Sequence, residues 1–295
     1  VTAQARWSTA LLALTLALPS LAMTSIDIAS LWNFQDPAAS EQRFRDALAT
    51  AQGDDRLILV TQIARSQGMR RDFEGARRTL AGIEREVAAA GPEARVRHAL
   101  ELGRTWVSAA HPKDALTPAA REQARGAYRQ ALATAREASL DGLAVDTLHM
   151  LAFVDDAPAD ALRWTQQALD LSLASTQPAA RRWEASLRNN LGMALHEQKR
   201  YDEALAQFRA AVAVRERGSD AGATRVAHWM VAWTLRSMGR LDEALDIQLR
   251  LERECDAAGQ PDAYVYEELA ALYTARGDAE RARHYGQKQA ALQAK

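Results

Sequence analysis

Little in this chain can hold it together through covalent or coordinate bonds. Only Cys255 carries a thiol, which excludes an internal disulfide and any zinc cluster built on several cysteines. Chain breakers are also scarce. The 15 glycines and 8 prolines make up about 8% of the residues, against roughly 12% in average usage. No charge of one sign dominates: 37 basic residues face 38 acidic ones, for a formal net charge of -1, and the two kinds are interspersed. Such a chain has no single-sign field to steer it toward DNA, RNA or anionic lipid, so nucleic acid is not an expected partner.

Catalytic signatures are missing as well. His98, His111, His149, His196, His228 and His284 are scattered, and none opens an H-E-x-x-H zinc motif. There is no G-x-S-x-G nucleophile context and no glycine-rich phosphate loop. Paired carboxylates, as in "RYDEAL" and "VYEELA", fall where solvated helical faces need ion pairs. These absences predict no metal, no cofactor and no enzyme.

Ala, Leu, Glu and Arg are abundant instead, and they favour a nearly all-helical protein. One stretch stands apart. Arg6 precedes the apolar run "TALLALTLAL", followed by Pro19, and the small residues Ser20 and Ala22 suit a signal-peptidase cut after Ala22. The run is too short to span a membrane. Two readings stay open: residues 1–22 are a leader and the protein is periplasmic or secreted, or translation starts at Met23 and the protein is cytoplasmic.

From residue 57 onward a skeleton recurs. In "NNLGMALHEQKRYDEALAQF", Leu191-Gly192 is followed by Leu195, and twelve residues after Gly192 comes Ala204, with Phe208 four further on. Val231-Ala232 leads in the same way to Ala244, Leu269-Ala270 to Ala282, and Ile63-Ala64 to Ala76. Leu102-Gly103 reaches its partner Ala124 only after an insertion near His111-Pro112 and Thr117-Pro118. In the unit after it, Leu148-His149 lacks the small residue, although Ala161 and Ala168 keep the second half. The mean spacing of about 41 residues is the scale of a solenoid repeat. Small residues at matched places predict helices that approach closely, with Gly192 and Ala204 at one such crossing.

The spacing x-x-L-G-x-x-L followed by A-x-x-x-F resembles the tetratricopeptide repeat (TPR), over residues 57–295. Arg188 and Glu216 depart from that family's pattern, which places an aromatic before the Leu-Gly pair and a proline near the end. The long period is similar to that of kinesin light chains, and "SLWNFQDPAASEQRFRDAL" resembles the start of uncharacterised bacterial TPR proteins. The resemblance implies an all-α, right-handed α-solenoid of about six helical hairpins. Its expected division is a leader at 1–22, an N-terminal strap at 23–38 and a repeat domain at 39–295, with a starting helix that Asp36 caps.

The resemblance also implies a concave wall lined by the first helix of each unit, at positions spaced i, i+4 and i+7. These are Asn189, Met193 and His196 in one unit and Trp229, Trp233 and Arg236 in the next. Thr61, Arg65, Leu100, Arg104, Asp146, Met150, Glu267 and Thr274 hold corresponding places. Two indoles on one stripe could stack on a peptide or an aromatic ligand, or belong to the core. Asn189 or Asn190, Arg65 and Arg104 have the residue types of a carboxylate clamp but not its order along the repeats. The expected function is a non-enzymatic scaffold binding a protein or peptide segment through Asn189, Met193, His196, Trp229, Trp233 and Arg236. The alternative is a small-ligand sensor using the same groove.

Overall fold

The computed structural model describes residues 26–155 and 157–294. The expected leader and its cleavage point after Ala22 lie outside the described residues. Every regular element among the described residues is helical. After α1 (Ile28–Leu31) and α2 (Pro37–Leu48), six helical hairpins follow in chain order. The first pairs α3 (Gly53–Met69) with α4 (Phe73–Ala81) and its continuation α5 (Glu84–Ala88). The second pairs α6 (Pro92–Arg104) with α7 (Pro118–Glu137), and the third α8 (Asp141–Val154) with α9 (Pro158–Ala174). A short α10 (Pro178–Arg181) precedes the fourth, α11 (Glu184–Glu197) with α12 (Tyr201–Arg215). The last two are α13 (Ala221–Ser237) with α14 (Leu241–Ala257), and α15 (Ala263–Ala275) with α16 (Ala279–Gln293). Contacts run overwhelmingly between neighbours in this order, the quasi-linear packing of a solenoid.

The N-terminal stretch expected as a strap holds one helical turn. Asp27 Oδ1 accepts hydrogen bonds from the backbone N–H groups of Ala29 and Ser30 and so nucleates α1, a helix too short to show periodicity in the sequence. The strap is pinned to the helices beneath it. Trp32 Nε1 donates to Gln62 Oε1 at 3.1 Å, Arg43 Nε donates to the Leu31 carbonyl at 2.8 Å, and the Trp32 ring meets the buried Phe44 edge-on. Asp36 caps α2 by accepting from Ala39 N–H.

The hairpin turns share one device. In four of them the sixth residue of a closing turn donates back to the first, as Asp72 does to Gln67, Arg200 to Leu195, Arg240 to Leu235 and Asp278 to Tyr273. The residue before each donor is left-handed: Arg71, Lys199, Gly239 and Gly277 all have φ between 60° and 78°. Asp278 then caps α16, whereas Asp202 and Asp242 lie inside the first turns of α12 and α14, where they face the positive helix end.

The close approach of paired helices differs in one respect from the sequence expectation. What fills the space where Gly192 lacks a Cβ is the ring of Phe208, whose Cε1 would stand 2.6 Å from such an atom. Ala204 is fully buried one turn away. Gly103 makes the same room for Tyr128, across the insertion that separates α6 from α7. The long inner residue of the second helix therefore selects the glycine. Tyr128 is also tied down, its hydroxyl donating to the Val107 carbonyl at 2.7 Å.

Candidate functional site

The inner positions of the first helices carry two features. One runs along the C-terminal hairpins. His196 of α11 stacks on Trp233 of α13 with ring centroids 3.5 Å apart, Trp233 lies nearly parallel to Trp229 at 6.0 Å, and Trp229 meets Tyr264 of α15 edge-on at 6.4 Å. Tyr201 closes the other end against His196 at 4.9 Å. This ladder bridges two joints of the solenoid. Its polar atoms are engaged: Trp229 Nε1 donates to the Tyr264 carbonyl, and His196 Nε2 lies 3.0 Å from Ser237 Oγ. Burial, reinforced by the Arg236 cation, lowers the His196 pKa.

The six residues singled out in the sequence take different places here. His196, Trp229 and Trp233 come together in the ladder, with His196 buried and both indoles half-buried. The tryptophans are thus core on one side and surface on the other. Met193 is 40% exposed, and the Asn189 amide reaches only its sulfur, at 3.9 Å. Arg236 grips Glu268 of α15 with two hydrogen bonds of 2.8 and 2.7 Å, and that grip raises its pKa. It braces the joint.

The second feature lies toward the N-terminus, on stripe positions not selected in the sequence. Arg104 donates to Glu101 Oε1 and to Asp146 Oδ1, each at 2.5 Å, linking α6 to α8. Burial works against the Arg104 charge, but Asp146 and Glu101 hold its pKa well above the ordinary value. Burial would raise Asp146, yet Arg104 and Arg65 keep it below the usual carboxylate range. Arg65 of α3 stays farther from the carboxylates, at 3.7 Å from Glu101 and 4.0 Å from Asp146, with its guanidinium against the Trp32 and Phe34 rings. Burial and the neighbouring Arg104 lower its pKa.

These groups line a cleft of about 330 Å³ together with Phe34, His149, Met150, Phe153 and Trp183. His149 occupies the slot that glycine or alanine fills in other hairpins, and its ring lies 5.2 Å from Phe153 and 5.4 Å from Trp183. Trp183 reaches the cleft because α10 is inserted before α11, packing on α8 where Gly142 admits Ala179. The signal for this cluster was present: Arg65, Arg104 and Asp146 lie on the stripe of three successive units, each arginine directly after the small residue and Asp146 three places before His149. Glu101 lies off that stripe and only the fold recruits it. Among the described residues no group of three His, Cys, Asp or Glu side chains could hold a metal ion, and no helix is long and apolar enough to cross a membrane.

Stacked helical hairpins, paired through small residues and lined by their first helices, define a TPR-type protein. The tetratricopeptide repeat family profile matches residues 183–253, the fourth and fifth hairpins. No curated protein matches the sequence. Among solved structures, the apo form of RapI superposes with a TM-score of 0.68 at 12% identity, covering 88% of this chain and 72% of that one. BtubC from P. vanneervenii gives 0.55 at 20% identity, covering 83% and 92%. NprR in complex with its cognate peptide NprX gives 0.50 at 13% identity, covering 89% and 76%. At such identities the shared property is the fold.

Proposed function

We propose that this protein is a non-enzymatic scaffold that captures a peptide or protein segment along its inner wall. The observation that carries the reading is the continuous ladder from Tyr201 through His196, Trp233 and Trp229 to Tyr264, with its indoles half-buried. Its buried edges fix the rings, so a ligand meets rigid aromatic faces and little ordering entropy is lost on the protein side. Met193 and Asn189 extend the contact on α11, and Arg236 holds α13 and α15 in register through Glu268. NprR, bound to its cognate peptide, supports the reading as a fold relative that receives a peptide.

Selection of a phage-displayed peptide library on the immobilised protein tests this. Wild type is expected to enrich specific peptides, and Trp229→Ala with Trp233→Ala to weaken their binding by about tenfold or more, as loss of aromatic hot spots does. Peptides that bind the double variant with unchanged affinity would remove these residues from the site.

A further inference from the structure

Two of the buried polar side chains without a hydrogen-bond partner among the described residues meet at one cleft. Among the described residues, buried side-chain atoms without a hydrogen-bond partner occur on Glu101, Trp183 and Gln248, and the first two line the same cleft. Glu101 Oε2 lacks a donor and Trp183 Nε1 lacks an acceptor. Beside them, the Arg65 guanidinium makes no hydrogen bond among the described residues, its nearest carboxylate oxygens being 3.7 and 4.0 Å away. Residues that line one cleft thus carry an unused acceptor, an unused donor and a guanidinium without a hydrogen bond.

The charge balance narrows what could satisfy them. Arg65 and Arg104 are cancelled by Glu101 and Asp146, so the quartet has no net charge to be neutralised by an ion of one sign. A desolvated set of this kind is completed by a ligand that carries both signs a few ångströms apart. The rest of the wall is mainly apolar, with Phe34, Met150 and Phe153, and is broken by Thr105, Ser108 and His149. A volume of about 330 Å³ is at the small end of ligand sites, which run from roughly 300 to 1,000 Å³.

We propose that this cleft binds a free α-amino acid with an apolar side chain. The carboxylate takes hydrogen bonds from Arg65 and Trp183 Nε1, the ammonium group donates to Glu101 and Asp146, and the side chain rests against Phe34, Met150 and Phe153. A free amino acid sets both charges on one carbon, whereas a longer peptide separates them to its two ends. The cleft contains none of the ladder residues, so it is a second site, independent of peptide capture.

Isothermal titration of the full chain with each apolar L-amino acid tests the proposal, with N-acetyl-L-leucine and L-leucinamide as probes that each lack one charge. At least one free amino acid is expected to bind, and both capped leucines to bind at least about tenfold more weakly than leucine. Arg65→Gln should weaken the best amino acid by a similar factor, and Trp183→Phe, which keeps an aromatic ring and loses one donor, by a smaller one. Circular dichroism establishes that both variants are folded. Absence of binding by every apolar amino acid at millimolar concentration would overturn the proposal. So would capped leucines that bind as well as leucine, or two folded variants that bind normally. Trp229→Ala with Trp233→Ala should leave amino acid binding unchanged, so the failure of either site is read separately.

Discussion

Two helical glycines, Gly192 and Gly126, occupy opposite surroundings. A Cβ on Gly192 would collide with the Phe208 ring at 2.6 Å, while around Gly126, exposed in the middle of α7, nothing lies within 4 Å. Gly192→Ala is therefore expected to destabilise the fold by about 1–3 kcal/mol through overpacking. Gly126→Ala is expected to stabilise it by about 0.5–1 kcal/mol, because alanine loses less backbone entropy in a helix. Urea denaturation checks both, and trimming Phe208→Leu alongside Gly192→Ala should return part of the loss. A pattern of small residues in the sequence names the first glycine but does not separate it from the second. That distinction depends on which side chain arrives from the partner helix.

Among the elements, the second helices seat themselves through the residue four places after their marker alanine. Leu80, Tyr128 and Phe208 fill that seat in α4, α7 and α12 and are fully buried. In α14 the seat falls to Gln248, equally buried, whose amide oxygen and nitrogen both lack hydrogen-bond partners among the described residues. Burying an unpaired amide costs about 1–3 kcal/mol. Gln248→Leu should accordingly raise the melting temperature, which differential scanning calorimetry would register, and a lowered value would show that the amide is satisfied in solution. The turns carry a similar contrast. Gly239 and Gly277 adopt the left-handed conformation without steric penalty, while Lys199 and Arg71 adopt it with a Cβ in place. Sequence alone marks the two glycine turns clearly and the other two only through their charged pairs.

At the scale of the whole molecule, acidity should act through buried imidazoles. Burial lowers the pKa of His149, and burial together with Arg236 lowers that of His196, whereas both titrate near about 6.5 in an unfolded chain. Between the folded value and about 6.5 the unfolded chain binds more protons, so stability is full above that window and falls as pH drops through it. The melting temperature should therefore decline between about pH 7 and pH 5.5, and His196→Gln should flatten part of the decline. A melting temperature that is constant or rises toward pH 5.5 contradicts this. Removing one partner of the buried quartet acts more strongly. Asp146→Ala is expected to cost about 3–5 kcal/mol, because it leaves Arg104 with half of its compensation in a buried place.

The repeat and its helical content were legible along the chain, because helix periodicity and small-residue spacing are local properties that successive hairpins repeat. Which stripe residues face one another was decided only in three dimensions. The insertion of α10 brings Trp183 to the cleft, the strap lays Trp32 and Phe34 over Arg65, and Glu101 joins Asp146 around Arg104 from outside the stripe. Those encounters join residues tens of positions apart, and the angle and spacing of whole helices set them, quantities that no local pattern encodes.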